Sequence, residues 1–186
     1  MGDTSGPILV DLDMVIADFH GGFQAIWMAR FPERDVIELE ERRSFYLTKD
    51  YDPRYEADIE EIINAEGFLR GLAPIQGAIE GFQELRSRYD SVKVCTTSLK
   101  NPFSLKEKWE WVLENLGVQV AKEMIVCNDK TLIKGAYLID DKPVMDGAAL
   151  PDWRYIIYDQ PYNRRVAGPR LVWGNDLDLE TLCSKY

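Results

Sequence analysis

Short apolar runs alternate with longer stretches of helical periodicity, and four of the runs stop on hydroxyls, carboxylates or a lysine. Ile8–Val10 ends at Asp11, and Val92–Cys95 ends at Thr96, Thr97 and Ser98. Met124–Cys127 leads into Asn128, Asp129, Lys130 and Thr131, and Ala136–Ile139 leads into Asp140 and Asp141. Such runs are too short for helices and read as buried strands. Tyr155–Tyr158 and Leu171–Trp173 are further strand candidates. The intervening stretches carry one-sided apolar stripes. Phe19–Arg30 places Phe19, Phe23, Ile26 and Trp27 on one side, and Gly77–Tyr89 does so with Ile79, Phe82, Leu85 and Tyr89. Leu105–Leu116 faces Leu105, Trp109, Val112 and Leu116 inward, and a closing helix runs from Asp176, its cap, to Lys185. Strands alternating with helices predict an α/β fold built on a mostly parallel, doubly wound sheet.

The stretch from Glu33 to Leu72 has a different texture. It is charged, favours helix and shows no strand, with Pro53 placed to start a helix running to about Glu66 and Gly67 to end it. Residues 20–72 therefore read as a helical subdomain inserted after the first strand. Residues 8–19 and 73–186 form the core, and residues 1–7 are a short disordered lead. From Glu33 to Glu66 twelve acidic residues face five basic ones, a local net charge of −7 within a total of −10.

That acidity argues against a nucleic acid polymer as partner, because phosphate contacts dominate such binding. No apolar run approaches the roughly 20 residues of a membrane span, and the start lacks a signal-peptide pattern. The expectation is a cytoplasmic protein with no membrane partner. The three cysteines, Cys95, Cys127 and Cys183, form no C-x-x-C pair and read as reduced thiols. The single histidine, His20, excludes two-histidine phosphatase chemistry and reads as a helix-surface or pocket-edge residue. No P-loop and no G-x-G-x-x-G is present.

Ligands of open parallel sheets bind at the carboxyl ends of the strands, where all four polar clusters fall. Singly, each has a mundane alternative: an N-cap, a turn, a surface lysine. Together and in this order they read as a site. Gathered carboxylates call for a divalent cation, and an all-oxygen donor set favours magnesium. Asp11 is placed to attack a phosphate ester as a carboxylate nucleophile. Asp13, two residues on, is placed to protonate the leaving alcohol and later to activate water. Lys130 and Thr96 are placed to neutralise phosphate oxygens.

The set Asp11-Leu-Asp13-Met-Val15, Thr96, Lys130 and Asp140-Asp141 resembles the four-motif signature of the haloacid dehalogenase superfamily. That resemblance implies a Rossmann-like core, magnesium and an aspartyl-phosphate mechanism. The segments Asp11–Phe19, Arg42–Tyr46, Val94–Thr97, Asn128–Thr131 and Leu138–Lys142 further resemble the 5′(3′)-deoxyribonucleotidases, over nearly the whole chain from Ile8. This second resemblance implies a deoxyribonucleoside monophosphate as substrate. It places Phe19, Phe45, Tyr46 and Leu47 around base and sugar, with Phe68 either there or in cap packing. It also makes Thr96, Thr97 and Lys130 the phosphate-binding groups. The metal would be held by Asp11, the Asp13 backbone carbonyl and one of Asp140 and Asp141, with Asp141 preferred by register. Residues 20–72 would be the family's cap, and relatives suggest a homodimer. Met14, Tyr46 and Thr97 depart from the vertebrate pattern and bear on base preference. Two other readings stand beside this one: a phosphatase of another small ester, and a low-turnover nucleotide-binding module.

Overall fold

The computed structural model describes residues 6–185. Six strands form: β1 (Ile8–Val10), β2 (Val92–Thr96), β3 (Ile125–Val126), β4 (Tyr137–Asp140), β5 (Arg154–Tyr158) and β6 (Arg170–Leu171). They make one wholly parallel sheet in the order β3-β2-β1-β4-β5-β6. β1 lies in the middle with a strand on each edge, its two faces pack into separate cores, and Leu9 and Val10 are fully buried. That is why the run is apolar throughout instead of alternating. Successive side chains go to opposite faces. Ile8, Val10, Val94 and Ile139 join the large core, while Leu9, Cys95 and Leu138 meet Trp153 in a smaller one.

The helices are α1 (Phe19–Arg30), α2 (Glu56–Ile63), α3 (Ala78–Arg88), α4 (Ser104–Leu116), α5 (Val118–Glu123) and α6 (Leu179–Ser184). The chain runs outward from β1 through β2 to β3, then returns to the other side of β1 for β4, β5 and β6. This Rossmann-type order creates a crevice at the carboxyl end of β1, where the direction of winding reverses. Register fixes what lines it. Val10 pairs with both Val94 and Ile139, so the residues that follow them leave the sheet side by side.

Several sequence expectations shift. The first five residues of the expected lead lie outside the described residues, and Pro7, at its end, already accepts a 2.9 Å hydrogen bond from the Ala136 N–H. The helix expected from Pro53 begins as a 3-10 turn, Pro53–Tyr55, and continues as α2 only to Ile63. Two further 3-10 turns, Leu39–Glu41 and Leu47–Lys49, shape the rest of the inserted stretch. The closing helix is shorter than expected, and Asp178, not Asp176, caps it by accepting from Thr181 N–H. On α1, Ile26 faces solvent at 40% exposure and His20 is buried, the reverse of the expected assignment.

The largest correction concerns α4. Leu105 and Trp109, expected inside, are 56% and 40% exposed. The buried side instead carries Ser104, Glu107, Lys108, Trp111 and Val112. Hydrophobicity alone misreads this helix because its inward polar residues each have a partner. The Glu107 carboxylate accepts the N–H groups of Gly67 at 2.6 Å and Leu69 at 3.0 Å. The Trp111 indole donates to the Leu72 carbonyl at 2.7 Å. Residues 67–72, which return the inserted stretch to the core, are thus strapped to α4. Glu107→Ala would leave these amides without their charged acceptor. The expected cost is about 2–3 kcal/mol, because hydrogen bonds to charged groups are worth about 1.5–3 kcal/mol. Thermal unfolding should read it as a fall in Tm of roughly 5–10 °C, with Glu107→Gln losing less.

Candidate active site

Asp11 leaves β1 beside the end of β4, its N–H bonded to the Ile139 carbonyl at 2.9 Å. Lys130, on a 3-10 turn after β3, sends its ammonium group between two carboxylates. It lies 2.6 Å from Asp11 Oδ1 and 2.5 Å from Asp140 Oδ2. Asp140 also accepts the Lys142 N–H at 2.9 Å. Asp141 is 1% exposed and accepts a hydrogen bond from the Tyr162 hydroxyl. Carboxylate oxygens of Asp11, Asp140 and Asp141 all lie within 4.8 Å of one another.

Asp13 meets a second buried lysine. Lys108, on α4, is 1% exposed and lies 2.5 Å from Asp13 Oδ2. Its ammonium also donates to Thr96 Oγ1 at 2.9 Å. The other oxygen of Asp13, Oδ1, is buried without a hydrogen-bond partner among the described residues. Between the two aspartates and α1 the chain makes a tight turn in which Met14 adopts φ 60°, a left-handed conformation costly for a residue with a side chain. Four contacts hold that turn. The Met14 N–H donates to Ala17, the Met14 carbonyl accepts from the Gln160 amide at 2.8 Å, and the Trp173 indole donates to the Val15 carbonyl at 2.6 Å. Finally, the His20 N–H reaches Met14 Sδ at 3.3 Å. His20 is therefore a packed neighbour of the turn, its ring nitrogens buried without partners and its pKa lowered, chiefly by burial.

These groups open onto a cavity of about 390 Å³. Asp11, Asp13, Thr96, Thr97, Lys130, Asp140 and Asp141 line it together with the apolar and aromatic side chains of Met14, Phe19, Phe45, Tyr46, Leu47 and Ile63, and with polar residues that include Glu60, Asn128 and Lys142. Tyr46 is 61% exposed and stands at the rim. Phe68 is not in the wall; it is buried edge-on against the Phe19 ring, with centroids 5.0 Å apart, and supports it from behind. The Thr97 hydroxyl is turned toward the Cys127 carbonyl at 3.3 Å.

A family model described as "5′ nucleotidase, deoxy (Pyrimidine), cytosolic type C protein" matches residues 6–179. The chain belongs to that nucleotidase family. The chain is similar to a putative 5′(3′)-deoxyribonucleotidase of Bordetella pertussis, 44% identical over 170 residues, with 90% of this chain and 91% of the relative covered. The human cytosolic 5′(3′)-deoxyribonucleotidase is 35% identical over 188 residues, with 96% and 94% covered. A haloacid dehalogenase family hydrolase from Deinococcus radiodurans, solved with phosphate and sodium, shares the fold. Its TM-score is 0.52 at 16% identity, with 90% of each chain covered. The chain is thus a phosphomonoester hydrolase with a haloacid dehalogenase-like core. Among the described residues, no helix is long and apolar enough to cross a membrane.

Within this nucleotidase, three site residues escaped the sequence reading of side-chain roles: Lys108, Tyr162 and Gln160. Lys108 left a signal. It sits in helical register with Trp111 and Val112, and a lysine on a buried stripe is rarely left unpaired. Tyr162 and Gln160 follow β5 in a turn with no motif, and their roles depend on contacts across the fold.

Electrostatics are dominated by burial. Desolvation raises Asp13, opposed by Lys108 and reinforced by Asp11. It raises Asp140 to about 6 despite Lys130, and raises Asp141 further because Asp140 and Asp11 add their repulsion. Burial disfavours the Lys130 charge, but Asp11 and Asp140 outweigh it and its pKa rises. A carboxyl group whose pKa is raised on folding binds its proton more tightly folded than unfolded. It favours the fold below its unfolded value and ceases to do so as pH passes its folded value. Metal-stripped protein should therefore lose stability as pH climbs from about 4 to about 6, read as a falling urea midpoint. A divalent cation should restore the midpoint above that window, because it binds the deprotonated cluster. A midpoint that rises steadily across the window in stripped protein would contradict this assignment.

Proposed function

We propose that this chain hydrolyses the 5′ and 3′ phosphates of deoxyribonucleoside monophosphates, with magnesium, through an aspartyl phosphate on Asp11. The observation that carries the reading is the placement of Asp13: it lines the same cavity as Asp11, Lys130, Asp140 and Asp141, with one carboxylate oxygen fixed by Lys108. An acid that must reach a leaving oxygen has to face the cavity that holds the nucleophile.

The donor set suits magnesium. It is all oxygen, and four aspartates face only two lysines across Asp11, Asp13, Asp140, Asp141, Lys108 and Lys130. Asp140 is already neutralised by Lys130, whereas Asp141 has a neutral donor in Tyr162. The charge of Asp141 is therefore left for a cation, which favours Asp11, Asp141 and the Asp13 carbonyl as its ligands, with Asp140 behind them. Bound magnesium would offset the charge of the phosphate oxygens and polarise the phosphorus.

The reaction then follows from the side chains. An Asp11 oxygen bonds to phosphorus as the ester P–O bond breaks, and Asp13 gives its proton to the departing alcohol. The raised pKa of Asp13 supports its holding a proton for this step. The Asp13 carboxylate next takes a proton from water. The water oxygen bonds to phosphorus, the acyl phosphate P–O bond breaks, and inorganic phosphate leaves with Asp11 restored. Lys130 and Thr96 bind phosphate oxygens. Thr96 Oγ1 accepts from Lys108, so its own hydroxyl proton is available to the substrate. Thr97 is a second hydroxyl residue lining the cavity.

The relatives' names point to a deoxynucleotide, and the wall suits one. Phe19, Phe45, Tyr46 and Leu47 offer aromatic and aliphatic surface to base and sugar. A 2′-hydroxyl pressed on that surface would lose its water without gaining a partner, at a cost of roughly 1–3 kcal/mol. In this reading residues 20–72 are a cap over a core of residues 8–19 and 73–186. The cap excludes water and selects the leaving group.

A magnesium-supported panel tests the reading. Phosphate release from dUMP and dTMP should exceed that from UMP by about tenfold, the equivalent of about 1.4 kcal/mol. Asp11→Asn should lower turnover by roughly 10³-fold or more. A sugar phosphate outperforming every nucleotide would sink the specificity claim, and nucleotide binding without phosphate release would mark a binding module.

A further inference from the structure

Asp140 and Asp141 are adjacent and equally buried, yet they are served differently. Asp140 is held by a cation, the Lys130 ammonium, at 2.5 Å. Asp141 is held by a neutral phenol, the hydroxyl of Tyr162. A lysine or arginine in that place would cancel the charge a metal needs. A phenylalanine would leave the carboxylate free to rotate. A tyrosine hydroxyl fixes one oxygen and leaves the charge intact.

Tyr162 is itself fixed from three directions. The next residue, Asn163, donates from Nδ2 to the Asp141 carbonyl at 2.8 Å and to the Tyr158 carbonyl at 2.9 Å, which locks the turn to the ends of β4 and β5. Arg170 holds the Asn163 side-chain oxygen at 2.8 Å. From the inserted stretch, the Arg42 guanidinium lies 4.8 Å from the centre of the Tyr162 ring. The ring itself meets Phe45, centroid to centroid, at 6.2 Å and 76°.

Arg42 is 2% exposed, and its contacts explain why Phe45 stays put. Its Nε pairs with Asp50 at 3.0 Å, and its NH2 group donates to the carbonyls of Ser44 at 2.8 Å and Phe45 at 3.0 Å. The loop that presents Phe45 and Tyr46 to the cavity is therefore folded around Arg42, and Arg42 rests on Tyr162. One side chain on the core touches the carboxylate cluster and also backs the aromatic wall.

We propose that Tyr162 is a positioning residue for both halves of the site: its hydroxyl orients Asp141 toward the cation, and its ring backs the aromatic wall at Phe45. This rests on the functional reading above, in which Asp141 binds the metal and Phe45 the nucleoside. The two halves are separable, because Tyr162→Phe removes the hydroxyl and keeps the ring, while Tyr162→Leu removes both.

Isothermal titration with Mg2+ alone, and separately with deoxyuridine alone, tests the proposal on proteins whose folding is checked by thermal melts. Tyr162→Phe should weaken Mg2+ binding by about tenfold or more, in line with the loss of a hydrogen bond behind a metal ligand. Its deoxyuridine affinity should stay within about twofold, and excess Mg2+ should restore kcat towards dUMP, raising the requirement for metal rather than abolishing chemistry. Tyr162→Leu should lose deoxyuridine affinity as well, by about fivefold, near the middle of the range that aromatic contacts contribute. Mg2+ affinity within about twofold of wild type in Tyr162→Phe would overturn the role of the hydroxyl. Unchanged deoxyuridine affinity in a folded Tyr162→Leu protein would overturn the role of the ring. Failure of the functional reading shows differently: wild-type protein would itself fail to bind deoxyuridine or Mg2+, and the proposal would fall with it.

Discussion

Four aspartates converge on the carboxyl edge of one sheet, and their mutual repulsion in a dry crevice is the constraint around which the rest of the structure is arranged. Asp11, Asp140 and Asp141 sit within 4.8 Å of one another, and Asp13 is two residues from the first. Burial multiplies the cost of such crowding, because charges interact far more strongly away from water. Two lysines relieve it in part. Lys130 lies between Asp11 and Asp140, and Lys108 reaches Asp13 from a helix on the far side of the sequence. The negative charge that remains is what a divalent cation would offset. Architecture serves the same end: β1 is central because its carboxylates must be flanked by the ends of β2 and β4.

Helix α4 has a double task. Its Lys108 holds Asp13 and Thr96, next to Glu107 and about one turn from Trp111, which hold residues 67–72. The helix that holds Asp13 therefore also anchors one end of the inserted stretch. The other attachment lies across the cavity, where Arg42 rests on Tyr162 and Glu40 pairs with Arg164 at 2.6 Å on the surface. Arg42 is buried and anchors a loop, while the Glu40–Arg164 pair is exposed and worth little in stability. At one of these attachments, Tyr162 also bonds to Asp141 in the carboxylate cluster.

How much of this was legible in the sequence follows from the range of each interaction. The strands were legible because burial on both faces leaves an uninterrupted apolar run, as in Ile8–Val10. The carboxylate cluster was legible because each member immediately follows such a run. The inward face of α4 was not. Leu105 and Trp109 suggested one stripe, but Glu107, Lys108 and Trp111 find partners tens of residues away and so outcompete them for the interior. Tyr162 was invisible for the same reason: its value lies in a contact with Asp141, 21 positions earlier. Phe68 was open to two readings, pocket wall or packing, and the geometry takes the second, against Phe19. Local pattern reveals which residues are buried, and only the fold reveals which of them face a ligand.

The central claim is that Asp11 carries the phosphoryl group during turnover and Asp13 releases it. Acid quenching of an Asp13→Asn protein mixed with Mg2+ and p-nitrophenyl phosphate, whose leaving group departs without a proton, followed by mass spectrometry of the peptide containing Asp11, tests this most directly. A phosphoryl adduct on Asp11 is expected to accumulate, because its formation then needs no acid while its hydrolysis still needs Asp13. A phosphoryl adduct on any other residue, or phosphate release at the wild-type rate with no adduct, would contradict it.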